Sequence, residues 1–214
     1  MFQDGSGLIA TFAIFAIAYL VRPFGGLVLG PLGDRIGRKR VLALTIIMMS
    51  AATFAIGLLA TYAQIGILAP ILLLVARLVQ GFATGGEYGG AAAFIAEYAP
   101  DRRRGFYCSF LEFSTLGGFV LAAGMETTLQ LTLPPDAMET WGWRVPFLVA
   151  GPLGLVGLYL RSKLEDTPAF QQLESDDDVS EAPLRELLTR HWCPILLVMG
   201  LVLFYNVADY TVLF

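Results

Sequence analysis

Apolar residues run in six long blocks, near 8–32, 41–62, 69–96, 106–130, 144–160 and 193–214, each interrupted by at most two charged residues. A helix rises 1.5 Å per residue, so about 20 such residues cross a hydrocarbon layer of ~30 Å. Backbone in lipid has to satisfy its own hydrogen bonds, and blocks of this length and spacing do so as helices. The pattern therefore predicts an all-α membrane protein with six transmembrane helices. Gly85, Gly86, Gly89, Gly90, Gly117 and Gly118 fall inside these blocks. Such glycines weaken a helix in water, but in a membrane bundle they let backbones approach closely.

Composition agrees with the pattern. Of 214 residues 56% are hydrophobic and 15% charged, with a mean hydropathy of +0.66, which excludes an ordinary soluble domain. Met1 is followed by Phe2-Gln3-Asp4-Gly5-Ser6. That start has neither the basic front nor the small-residue cleavage site of a signal peptide, so the first block is expected to be a retained helix. There is no basic tract for nucleic acid. Cys108 and Cys193 lie just inside apolar blocks, where they are expected as small buried residues.

Lysine and arginine set the orientation. The connections at 33–40, 101–105 and 161–192 carry eleven of them, and residues 1–7, 63–68 and 131–143 carry none. The two kinds alternate, which places the basic connections in the cytoplasm and Met1 outside. Within the longest connection, Glu174, Asp176, Asp177, Asp178 and Glu181 stand among Ser, Gln and Pro. Residues 171–183 are thus expected as an acidic linker, followed by a short amphipathic helix at 184–190. A membrane-embedded enzyme is disfavoured: the single histidine, His191, has no cluster of cysteine or carboxylate around it, and no cofactor or metal motif is present.

Three stretches carry more specific information. Gly30-Pro31-Leu32-Gly33-Asp34-Arg35-Ile36-Gly37-Arg38-Lys39-Arg40 fits G-x-x-x-D-R-x-G-R-[RK] at every defined position. Its glycines permit a tight turn between helices, and its arginines reach for carboxylates on neighbouring ones. Arg77-Leu78-Val79-Gln80-Gly81 leads through Thr84-Gly85-Gly86-Glu87-Tyr88 to Glu97-Tyr98-Ala99-Pro100-Asp101-Arg102-Arg103-Arg104-Gly105. The third is Trp141-Gly142-Trp143-Arg144-Val145-Pro146-Phe147, with Leu164-Glu165-Asp166-Thr167-Pro168 further on. Together with Arg22-Pro23-Phe24-Gly25-Gly26, this set resembles the metabolite:proton symporter family of the major facilitator superfamily, and within it the proline and glycine-betaine (osmoprotectant) symporters.

The resemblance implies that the six blocks correspond to the second through seventh of twelve helices. The chain is then expected to be a fragment, with an incomplete amino-terminal bundle at 1–160, a central cytoplasmic linker at 161–192 and the first helix of the other half at 193–214. It implies proton-coupled symport of a small zwitterion such as proline or betaine across the plasma membrane, with lipid, protons and the small-molecule substrate as the partners. Uptake of a dicarboxylate or aromatic acid by the same mechanism, and an inactive truncated remnant, stay open. Antiport is disfavoured, because Leu116-Gly117-Gly118 lacks a G-P-x-x-G-G arrangement.

Charges inside the spans are costly and mark pathways or paired sites. Counted from span midpoints, Arg22, Glu87 and Glu112 lie about 3, 6 and 9 Å to the cytoplasmic side, and Arg77 and Glu126 about 9 and 12 Å to the outer side, with Asp209 in the same outer half. At 100° per residue, Arg77, Gln80, Thr84 and Glu87 share a stripe about 80° wide, with Tyr88 beside it. That stripe is expected to face a cavity. Glu87 is the first candidate for proton coupling and Glu112 the second, with Arg22 as the compensating charge and Arg77 near the outer mouth. A permanent, non-titrating pair with Arg22 is the alternative. Arg22, Gln80, Thr84, Tyr88, Asn206 and Tyr210 are the candidate substrate contacts, with Phe113 and Tyr205 as further aromatic candidates. The resemblance gives the remaining polar set, Gly30, Gly33, Asp34, Arg35, Gly37, Arg38, Lys39, Glu97, Arg104 and Glu165, a gating role at the cytoplasmic helix ends.

Overall fold

The computed structural model describes residues 5–163 and 192–213, with side chains at 13–163, 192–204 and 207. The expected linker at 171–183, the helix at 184–190, Glu165 and His191 lie outside the described residues, as do the side chains of Tyr205, Asn206, Asp209 and Tyr210.

Every described element is helical. The α-helices in chain order are α1 (Gly5–Ile36), α2 (Arg38–Leu58), α3 (Tyr62–Ile65), α4 (Leu68–Tyr98), α5 (Arg104–Thr132), α6 (Pro135–Thr140), α7 (Val145–Ser162) and α8 (Trp192–Leu213), with 3-10 turns at Asp101–Arg103 before α5 and Gly142–Arg144 before α7. The segments from α1, α2, α4, α5 and α7 are long and apolar enough to cross a membrane, and α8 adds a sixth helix of 22 residues. The chain divides into two compact units, one holding α1 to α7 and the other α8.

Turn chemistry explains the boundaries. A single residue, Gly37, separates α1 from α2, and its φ of 97° is in the left-handed region that glycine enters without strain. The second apolar block ends four residues early, at Leu58, and the chain turns through α3, where Thr61 and Gln64 form a reciprocal cap. Pro135 opens α6 and Pro146 stands in the first turn of α7, positions where a missing N–H costs no helical hydrogen bond.

Two seams of small residues hold the first unit together. On α4, Gly81 and Gly85 lie against the backbone carbonyls of Ala18 and Arg22, and Gly25 on α1 lies against that of Phe82. A methyl group at any of these three positions would strike a carbonyl oxygen, so close approach of α1 and α4 requires glycine there. On the other side of α2, Gly57 faces Phe147 and Leu148, while Gly151 and Gly154 of α7 face Phe54 and Ser50. α2 is thereby wedged between α4 and α7. Leu29, Val41, Leu42, Ile56, Ala69 and Ala83 are buried in this region. Thr45 is fully buried as well, its hydroxyl donating to the Leu42 carbonyl at 2.9 Å.

α5 packs mainly on α4 and presents Phe113, Phe119, Val120 and Leu121 outward, each more than 70% exposed. Apolar exposure on that scale suits lipid and would be a liability in water. The cysteines depart from expectation: Cys108 is half-buried and Cys193 exposed, both as free thiols. An apolar block in a membrane needs no full burial to be stable.

Candidate functional site

The polar stripe of α4 faces α2 and α7. Arg77 donates to Gln80 Oε1 at 3.1 Å, and Gln80 Nε2 donates to Thr53 Oγ1 on α2 at 2.7 Å. Thr53 in turn donates to the Met49 carbonyl at 2.7 Å. Thr84 bonds the Gln80 carbonyl at 2.8 Å and reaches Met49 Sδ at 3.4 Å. The Arg77 guanidinium also lies 4.5 Å from the centre of the Phe15 ring of α1. This chain of half-buried polar groups ties α4 to α2, each bond contributing about 1 kcal/mol net. A stripe expected to line a cavity is thus partly engaged with its neighbours, because Thr53 and Met49 supply partners that depth arithmetic on the charged residues does not consider.

Glu87 continues the stripe and meets Arg161 of α7 at 3.6 Å. Its expected partner, Arg22, instead lies over the ring of Tyr19 at 3.9 Å, with its buried Nε lacking a hydrogen-bond partner. The reason is rotational. Gly85 faces α1 at Arg22, and two residues further on the helix has turned by about 200°, so Glu87 points away from α1. Arg22 and Glu87 share a depth and occupy opposite sides of α4. Glu112, the second candidate, accepts a hydrogen bond from the Tyr88 hydroxyl, which brings α4 and α5 together at that level. Phe113 turns outward. Toward the other end, Glu126 accepts from Gln130 on its own helix at 3.1 Å. Arg144 ties α7 to the end of α2 by donating to the Leu59 carbonyl at 3.1 Å.

Of the proposed gating residues, the structure joins three. Arg38 reaches Asp34 at 3.2 Å and Glu97 at 2.8 Å, linking the end of α1, the start of α2 and the end of α4. A cavity of about 190 Å³ opens beside them, lined by Gly30, Gly33, Asp34 and Arg38 together with Gly89 and Gly90. Lys39 donates to the Ser162 carbonyl at 3.2 Å, joining the start of α2 to the end of α7. Arg104 is local: it pairs with Asp101 at 2.8 Å in an exposed turn. Arg35 is exposed at the end of α1.

Sequence reasoning missed Arg161 and Thr53. Arg161 counts as a topology-setting arginine, yet it directly follows an apolar run ending at Leu160, and extending the helix by two residues carries it inside. Thr53 gives no such signal, being a small polar residue in an otherwise apolar helix.

Long apolar helices joined by glycine seams, with half-buried charges linking α4 to its neighbours, describe a polytopic membrane bundle. The chain belongs to the sugar (and other) transporter family, which it matches over residues 5–191. It is 50% identical, over 99% of its length, to the glycine betaine/proline/ectoine/pipecolic acid transporter OusA of Dickeya dadantii (strain 3937). It is 49% identical, over 96% of its length, to the proline/betaine transporter of Salmonella typhimurium (strain LT2). The chain spans 44% and 43% of the lengths of these two curated relatives. Among solved structures, the major facilitator superfamily proton:xylose symporter XylE bound to 6-bromo-6-deoxy-D-glucose matches 86% of this chain and 41% of its own, with a TM-score of 0.72 at 19% identity. At that identity the likeness establishes the fold alone: these helices are arranged like part of that symporter's bundle.

Proposed function

We propose that these residues belong to a proton-coupled symporter of a small zwitterion of the proline or betaine kind in the plasma membrane. The observation that carries this reading is identity of about one half, over nearly all of this chain and under half of theirs, to transporters named for those solutes. The segments 33–40, 101–105 and 161–192, which hold eleven basic residues, then lie in the cytoplasm.

In this reading Glu87 carries the proton. It is a half-buried carboxylate inside a membrane span with a single ionic partner among the described residues. Arg22 receives the substrate carboxylate, since its guanidinium is held by a ring and no carboxylate occupies it among the described residues. Arg77, Gln80 and Thr84 order the opposite, polar side of α4, and the bond from Tyr88 to Glu112 joins α4 to α5 one residue beyond Glu87. Arg38, Asp34 and Glu97 work as the cytoplasmic tie.

The test is Glu87→Gln in the intact carrier, reconstituted in liposomes. The amide imitates the neutral carboxylic acid and has no proton to release. Accumulation against a gradient should be lost while substrate exchange persists. Accumulation with an unchanged pH profile would move the coupling role to another carboxylate.

A further inference from the structure

We infer that Arg161 is a positioning residue for coupling: a detachable counter-ion that holds Glu87 ionised and swings away when Glu87 takes a proton. This rests on the reading of Glu87 as the proton site. The geometry supplies the detachability.

Among the described residues two long-range ion pairs join α4 to neighbouring helices, and they differ in kind. Arg38 meets Glu97 at 2.8 Å and has Asp34 as a second acceptor at 3.2 Å. Arg161 meets Glu87 through one nitrogen at 3.6 Å, well beyond the usual length of a charge-assisted bond. Its Nη1 is buried with no hydrogen-bond partner. A buried guanidinium donor left unsatisfied favours any alternative position where water or an acceptor is available. An arginine in the last turn of a membrane helix has such an alternative, because its stem is long enough to carry the charge out to the interface. Arg161 nonetheless points inward. Among the described residues only Glu87 pairs with it there.

The other charges around Glu87 do not take that role. From α1, Arg22 lies on Tyr19, on the far side of α4. From α2, Lys39 bonds the Ser162 carbonyl at the helix end. From α5, Glu112 accepts from Tyr88. On α4 itself, Glu97 belongs to Arg38. Space for the movement exists: a cavity of about 220 Å³ lies between α2, α4, α5 and α7, lined by Lys39, Leu42, Phe94, Leu111 and Arg161.

The step balances simply. A proton adds to the Glu87 carboxylate, the ion pair opens, Arg161 keeps its charge, and the pair as a whole gains one positive charge. Loss of that proton to the cytoplasm draws Arg161 back. A fixed structural pair would show no such dependence on protonation.

The test measures substrate accumulation as a function of pH in liposomes holding the intact carrier, with Arg161→Gln, Arg161→Lys, Glu87→Gln and the double variant Arg161→Gln/Glu87→Gln. Without its counter-charge Glu87 holds the proton more tightly, so the profile of Arg161→Gln should move to higher pH by about one unit or more, a tenfold change in proton concentration. Arg161→Lys should move it less. An Arg161→Gln profile that coincides with the unmodified one, while Glu87→Gln abolishes accumulation, overturns this inference and leaves the proposed function standing. Unchanged accumulation in Glu87→Gln overturns the proton-site reading itself. If Arg161→Gln does not fold, the double variant decides: recovery of folded protein supports a partner needed only by ionised Glu87, and continued failure assigns Arg161 a purely structural role.

Discussion

Arg38 and Glu97, fifty-nine residues apart, meet at 2.8 Å where α2 begins and α4 ends. Both side chains are 24% exposed, so the pair is partly shielded from water without being fully desolvated. Asp34, one turn before Arg38, shares the guanidinium and brings the end of α1 into the same contact. Three helix ends are thereby fastened by one arginine.

A double-mutant cycle on Arg38→Ala and Glu97→Ala should return a coupling of about 1–2 kcal/mol, between the values for exposed and buried pairs. Asp34, at 48% exposure, should couple more weakly. Unfolding of the purified protein in detergent measures both. Strictly additive single changes would mean that the three ends are held by packing alone.

Close approach of α1 and α4 makes a second, sharper prediction. Gly85→Val places side-chain atoms against the Arg22 carbonyl and should destabilise by about 3 kcal/mol or more. Gly117 and Gly124 on α5 have nothing within 4 Å of an added Cβ, so alanine at either should be neutral or stabilising by up to about 1 kcal/mol. Thermal unfolding of the three variants side by side checks the contrast, and equal effects would contradict the seam.

Much of this fold is written in the apolar periodicity, and much of the site is not. Helices α1, α2, α4, α5, α7 and α8 follow the six apolar blocks with ends shifted by a few residues, because turns at Gly37 and Thr61 decide the boundaries. The short α6 falls in a connection with no apolar signal. Depth along each span is legible by counting, and it puts Arg22, Glu87 and Glu112 at similar levels. Facing is the harder half. The glycines at 81 and 85 mark the side of α4 that meets α1, and Glu87 stands about 200° round from Gly85, so the mismatch with Arg22 was present in the spacing. The match with Arg161 was not, since it depends on α7 packing across α2 and extending past its last apolar residue.

Membrane orientation is open to direct measurement. Single cysteines at positions 66 and 136 should react with impermeant reagents from outside, and those at 102 and 176 only after the cytoplasmic side is opened. Residue 66 lies in the turn before α4 and residue 136 in α6, both in connections free of basic residues. Labelling of position 102 from outside would invert or dismantle the assignment of spans.

The central claim is that a proton gradient drives a small zwitterion through the carrier to which these helices belong, and radiolabelled glycine betaine tests it most directly. Liposomes holding the intact carrier receive an inward proton gradient, and uptake is followed with and without a protonophore. Transient accumulation above the outside concentration that collapses with the protonophore is the predicted result. Accumulation that ignores the protonophore, or no uptake of betaine or proline by a folded carrier, would contradict it.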